Sequence, residues 1–171
     1  MKKYQTFETE RLLLRPSNDE DAPFILELLN IPKWLKYIGD RNVKSLEDAQ
    51  KYINNRIKPQ FARLSYGNYT VIRKSDGAKI GSCGLYDREG LSGVDIGFGF
   101  LPEYEKKGYA LESALKIKDM AINVFKLGQI SAITNKENIA SQKLLKKLGL
   151  RYIKVVKLPD SDEELMLFQL K

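Results

Sequence analysis

Lys106-Lys107-Gly108-Tyr109-Ala110 joins a strand pattern to a long helix pattern, and this junction decides the fold. Before it, Val94 to Leu101 places Asp95, Gly97 and Gly99 alternately with apolar neighbours, the period of two of a strand. After it, Leu111, Leu115, Ile122 and Phe125 recur at helical spacing as one expected apolar stripe, with Gly128 as the expected stop. A strand that turns directly into a helix leaves backbone N–H groups unpaired at the helix start. Together with the helix dipole these make an anion site. Gly108 lets the backbone approach a ligand with no Cβ in the way. Ala110 is nearly as small, and Lys106 and Lys107 add positive charge at the rim, so a pyrophosphate would suit the turn. An ordinary strand-to-helix turn with two solvated lysines has the same local spacing. The chain contains no Walker loop. Gly97-Phe98-Gly99 lies inside a strand and lacks the third glycine of a dinucleotide fingerprint.

Working outward, Arg11-Leu12-Leu13-Leu14-Arg15 stopped by Pro16 reads as a first strand. Ser17 to Asp21 supplies cap-forming and acidic side chains for a helix that buries Phe24, Ile25, Leu28 and Leu29. Pro32 and Gly39 bracket a short irregular stretch carrying Trp34. Ser45-Leu46-Glu47-Asp48 resembles a capping box and opens a helical segment to about Ile57, with Pro59 expected to kink or end it. Tyr69 to Ile72, the turn Ser75-Asp76-Gly77 and Ile80 to Tyr86 form a hairpin. Beyond the long helix come a strand over 130–134 and a helix with Ala140, Leu144 and Leu148 on one face. The last two strands cover 152–156 and 165–170. The expected fold is therefore a single α/β (α+β mixed) domain over residues 1–171, one mixed sheet of about seven strands flanked by helices.

Composition narrows the chemistry. The chain has 171 residues, with 43% hydrophobic and 30% charged, as in a soluble globular domain with its own core. No apolar run approaches the ~18–20 residues that span a bilayer. Met1-Lys2-Lys3 is not followed by the apolar run of a signal peptide, so a cytoplasmic protein is expected. Cys83 is the only cysteine and histidine is absent. An intramolecular disulfide, Ser-His-Asp and Cys-His catalysis and the commonest zinc sites are thereby excluded. Cys83 lies in an alternating strand and reads as a small buried hydrophobe rather than a nucleophile. The net charge of +7 suggests an acidic partner, but the basic residues are scattered. A polyphosphate cofactor is favoured over a nucleic-acid face.

Three segments in order carry a family resemblance. They are Glu8-Thr9-Glu10-Arg11-Leu12-Leu13-Leu14-Arg15-Pro16 with Asp21-Ala22; Asp95 to Tyr104 with Lys107-Gly108-Tyr109-Ala110 and Glu112; and Asn138 to Ser141 with Leu144 to Leu150. Together they resemble the GNAT acetyltransferases, in the branch of the RimJ/RimL-type ribosomal-protein N-acetyltransferases. The resemblance implies a GNAT fold with a largely antiparallel sheet and acetyl-coenzyme A as acetyl donor. It places the pyrophosphate on the amides of Lys106, Lys107, Gly108, Tyr109, Ala110 and Leu111, and the pantetheine arm along the strand edge at Phe100 and Leu101. It also implies direct attack of an amine on the thioester in a ternary complex. Glu105 departs from the Gln or Arg that often begins the family's turn, and a carboxylate there weakens pyrophosphate binding.

Acyl transfer from a thioester to an amine needs a neutral amine, a stabilised oxyanion and a leaving thiolate. A lysine amine has pKa ~10.4 and an α-amine ~7.7–8.0, so neutralising the lysine costs about 3.4 kcal/mol more. Asp95 stands where many relatives carry a glutamate and is the candidate base, acting through a water, or else a strand-start aspartate bound to backbone or solvent. By the resemblance, Ser141 can hydrogen-bond the departing sulfur, because Leu145 replaces the tyrosine of many other members. A helix-start serine serving a backbone amide is the alternative. Asn138 is a candidate cofactor contact or helix cap. The oxyanion falls to a backbone N–H on the 98–101 edge. Trp34, Tyr37 and Tyr86 are candidates to line the acceptor site, or else core. The acceptor is a protein N-terminal α-amine or a small amine. A catalytically weak coenzyme-A-binding module and a basic ribosome- or RNA-associated protein are the alternatives. The sequence leaves a monomer and a homodimer both open.

Overall fold

The computed structural model describes residues 3–170; Met1 and Lys2, which belong to the stretch read as not a signal peptide, and Lys171 lie outside the described residues. Strands β1 (Phe7–Glu8), β2 (Leu12–Pro16), β3 (Asn68–Arg73), β4 (Lys79–Tyr86), β5 (Val94–Phe100), β6 (Ile130–Asn135), β7 (Leu150–Val156) and β8 (Leu165–Leu170) build one sheet. Their order is β1-β2-β3-β4-β5-β6-β8-β7. Among the described residues only β5 and β6 pair parallel. The strand beyond the expected seven is β1, two residues long and too short to leave a periodic signature.

Helices α1 (Ala22–Leu28), α2 (Pro32–Tyr37), α3 (Leu46–Tyr52), α4 (Lys58–Leu64), α5 (Tyr109–Asn123) and α6 (Ile139–Lys147) cover the sheet. Several differ from the sequence expectation. The supposedly irregular stretch around Trp34 is α2, started by Pro32 at its first turn, where proline's missing N–H costs nothing. Pro59 does not end the helical run begun by Ser45. Residues Ile53–Ile57 widen into a π-helical turn that leads into α4, and Pro59 falls in the first turn of α4. Ser65, left-handed at φ 68°, stops the run.

The long helix buries Ser113, Ala114, Ile117, Met120 and Ala121, while Leu115 and Ile122 of the expected stripe are exposed. Two apolar stripes run along α5, and the one that mixes Ile117 and Met120 with the small Ser113, Ala114 and Ala121 is the buried one. It ends at Asn123, before Gly128, and Lys126 is the residue that turns left-handed (φ 55°). On α6 the buried positions are Leu145 and the following Leu148; Ala140 is exposed.

Candidate active site

Strands β5 and β6 pair only at Val94 with Ile130 and Asp95 with Ser131, then separate. On its other side β5 stays paired with β4 from Asp95 to Phe100. The N–H of Leu101 donates to Ile80 O at 2.9 Å, toward β4. Strand alternation therefore turns Phe98 and Phe100 N–H toward the edge that β6 leaves. This narrows the expected oxyanion donor, because Leu101 N–H is already taken. The side chains of Phe100 and Leu101 are buried in the core, so they offer a ligand only backbone.

Beyond that edge the chain passes a short turn (Pro102–Tyr104) and reaches α5. Lys106 (φ 61°) and Gly108 (φ 83°) both adopt left-handed backbone. Glu112 N–H, donating to Gly108 O at 3.0 Å, is the first in the helix to find a helical acceptor. The N–H groups of Tyr109, Ala110 and Leu111 thus form the orphaned helix start. Lys106, Lys107 and Gly108 are exposed, whereas the Tyr109 ring is buried.

A network not foreseen from the sequence braces this turn. Glu112 accepts hydrogen bonds from Thr9 Oγ1 (2.6 Å), Arg11 N–H (2.9 Å) and Arg11 Nε (2.7 Å). Arg11 Nη1 donates to Lys107 O at 2.9 Å, and the guanidinium lies 4.4 Å from the Tyr109 ring centre. Burial acts to raise the Glu112 pKa, but the bonds from Thr9 and Arg11 outweigh it and hold the group below its ordinary value. Glu105 is likewise not a bare carboxylate, since Lys33 Nζ lies 2.6 Å from its Oε2.

Asp95, Ser141, Asn138, Trp34, Tyr37 and Tyr86 all line one cavity of about 890 Å³, while residues 106–111 do not. Asp95 is 2% exposed. Arg88 Nε approaches its two oxygens at 3.3 and 3.4 Å, longer than the 2.7–2.9 Å usual for a charged pair. Burial raises the Asp95 pKa and Arg88 only partly opposes it. The alternation of Asp95, Gly97 and Gly99 acquires a cause here. A Cβ on Gly97 would meet the Tyr86 ring at 2.9 Å, and one on Gly99 the Trp34 ring at 2.5 Å. The aromatic side chains of the cavity lie directly on glycine backbone.

At the far side, Asn138 Oδ1 caps α6 by accepting Ser141 N–H at 3.2 Å. The capping role therefore belongs to Asn138, and the Ser141 hydroxyl has no hydrogen-bond partner among the described residues. Leu145 is buried beside them and lines the same cavity. Cys83 is fully buried, and burial pushes its thiol up to about 12, so it is no nucleophile. Arg11, Lys33, Asn68 and Arg88 are the residues that sequence patterns did not single out for a site. Arg11 lay inside the recognised N-terminal segment, Lys33 and Asn68 contribute through contacts distant in sequence, and Arg88 reaches Asp95 across the loop between β4 and β5.

Known proteins share the sequence and the fold that carry this geometry. The acetyltransferase (GNAT) domain family matches residues 11–151. The chain belongs to the GNAT family. The uncharacterised N-acetyltransferase YnaD of Bacillus subtilis is 31% identical over 84% of this chain and 81% of its own length. Among solved structures, a GNAT-family acetyltransferase from Bacillus anthracis is 25% identical, covers 96% of both chains and superposes with a TM-score of 0.77. The ribosomal-protein-S5-alanine acetyltransferase of Vibrio fischeri, 19% identical, shares the fold over 96% of this chain and 95% of its own, with a TM-score of 0.80. This GNAT chain is an N-acetyltransferase by family, and GNAT acetyltransferases use acetyl-coenzyme A as co-substrate. No helix of the described residues is long and apolar enough to cross a membrane.

Proposed function

We propose that this enzyme transfers an acetyl group from acetyl-coenzyme A to a primary amine, by direct attack in a ternary complex. The acceptor is a protein N-terminal α-amine, as in the RimJ/RimL-type branch, or a small amine. The observation that carries this is the parting of β5 from β6 just after Asp95, beside a cavity that holds the proposed base.

The residues present fit the coenzyme. The exposed N–H groups of 109–111, the glycine at 108 and the neighbouring lysines suit a pyrophosphate. The open edge of β5 suits a chain of amides, and Asn138 stands across the gap on the β6 side. When bound, acetyl-coenzyme A supplies an activated thioester carbonyl. Phe98 or Phe100 N–H supplies the hydrogen bond that polarises the carbonyl oxygen. Asp95 accepts the proton of the amine, directly or through one water. Its burial makes it a stronger proton acceptor than an exposed aspartate. Ser141, whose hydroxyl is uncommitted, hydrogen-bonds the sulfur as it leaves. Trp34, Tyr37 and Tyr86 wall the acceptor side. Residues 1–171 act as one acetyltransferase domain.

The test is an acetyl-coenzyme A turnover assay with N-terminal peptides and small amines. Release of free coenzyme A that depends on one of these amines supports the proposal. Saturable coenzyme binding without turnover on any of them would leave a binding module instead.

A further inference from the structure

Behind the cavity wall a single-file hydrogen-bond chain runs from β4 through β3 to the segment that follows β2. Tyr86 Oη donates to Asn68 Oδ1 at 2.5 Å, and Asn68 Nδ2 donates to Ser17 Oγ at 2.8 Å. Ser17 Oγ and Thr70 Oγ1 lie 2.7 Å apart, and Thr70 Oγ1 donates to Asp21 Oδ2 at 3.0 Å. Asp21 is fully buried and receives Arg15 (2.7 and 3.1 Å), Lys79 Nζ (2.8 Å) and Asn18 N–H (2.9 Å).

The direction of this chain is dictated from the Asp21 end. An ionised carboxylate only accepts, so the one proton of Thr70 goes to Asp21. Ser17 must then give its proton to Thr70, and so can only accept from Asn68. Asn68 therefore turns its NH₂ to Ser17 and its oxygen to Tyr86; the flipped amide would set two acceptors face to face. Tyr86 in turn spends its proton on Asn68. Its ring is held over Gly97, and its hydroxyl stands close above Gly84, where a Cβ would come within 3.0 Å of the oxygen. Asp95 is its partner across the strands, on the same face.

We infer that Tyr86 faces the cavity as a hydrogen-bond acceptor only, and that its oxygen, on the cavity wall that also carries Asp95, is the seat for an N–H of the acceptor amine. Asn68 and Ser17 are positioning residues that hold this polarity. An oxygen that can only accept favours a nitrogen that carries an N–H and rejects quaternary nitrogen. This inference rests on the amine acceptor proposed above.

The experiment uses Ala- and Ser-starting hexapeptide amides, lysine methyl ester, spermidine and tyramine, each paired with its N-trimethylated counterpart as competitive inhibitor. For whichever amine is acetylated, Tyr86→Phe raises the amine KM roughly tenfold and leaves the acetyl-coenzyme A KM unchanged. The wild-type preference for the amine over its quaternary counterpart shrinks by the same factor. Ser17→Ala, remote from the cavity, shifts that preference in the same direction, because Asn68 is freed to flip. The fluorescence of Trp34, the only tryptophan and a cavity residue, reports amine binding without turnover and confirms that the variants fold. An amine KM and a quaternary preference that Tyr86→Phe leaves unchanged would overturn this inference alone. Failure of every amine to be acetylated would overturn the acceptor assignment and this inference with it.

Discussion

Gly108→Ala tests the coenzyme turn at its most constrained point. The residue caps α5 with φ 83°, where an L side chain costs about 1–2 kcal/mol. Its new Cβ would meet only Arg11 Nη2, at 3.2 Å, the far end of a flexible side chain. Lys106, Lys107 and Gly108 are exposed, so no core packing holds the alanine variant in the strained conformation. The free turn therefore relaxes, misaligning the N–H groups of 109–111, and binding must restore them. A cost of 1–2 kcal/mol corresponds to coenzyme A affinity weaker by about 5- to 30-fold. Titration calorimetry with coenzyme A reads the affinity and a thermal melt reads the fold. Unchanged affinity with a lowered Tm would refute the reasoning, since the strain would then be borne by folding and not by binding.

Asp95→Asn should slow acetylation of lysine-type amines by about 100-fold or more, and of α-amines by less, because the α-amine is more readily neutral. Equal rates for mutant and wild type across pH 6–9 would remove Asp95 from the mechanism. A folded pKa above the ordinary aspartate value gives stability that is present in acid and lost as pH rises through the folded value. The same variant should therefore keep or raise the wild-type Tm at pH 7, and a clear fall would contradict the burial penalty. Glu112 has the opposite sign: its lowered pKa gives stability above its ordinary value of 4.5 that fades as pH falls through the folded value. Glu112→Gln should lose about 1–3 kcal/mol at pH 7 and show a flatter acid limb in chemical denaturation; an unchanged limb would discount the Thr9–Arg11 brace. Lys33→Glu leaves Glu105 without its partner next to the turn. Coenzyme A should bind a few-fold more weakly, with the loss shrinking as added salt screens the charges; a loss that does not respond to salt would point to damage in α2 instead.

The parts legible in the sequence were those written in local pattern. The alternation through Asp95, Gly97 and Gly99 and the turn at Gly108 located β5 and the start of α5, and every proposed acceptor-side residue lines the cavity. The buried face of α5 was misjudged because the helix carries two apolar stripes: Ala114, Ile117, Met120 and Ala121 are buried, whereas Leu115 and Ile122 of the expected stripe are exposed. Pro59 was read as a kink or an end, and the helical run continues past it through a π-helical turn that leaves no mark in residue spacing. The pairings of Glu105 with Lys33 and of Glu112 with Arg11 join positions far apart in the chain. Only the folded sheet brings Tyr86, Asn68, Ser17, Thr70 and Asp21 into one line, and each alone is an ordinary polar residue.

The claim that the parted β5 edge and the α5 turn seat the coenzyme is met most directly by backbone amide NMR during titration with coenzyme A. Saturable shifts at Phe98, Phe100 and residues 107–111, with Lys33 and Asn138 following, are the expected result. Shifts confined to Arg41 and Arg56, which line the cavity away from that edge and turn, with those amides unmoved, would contradict it.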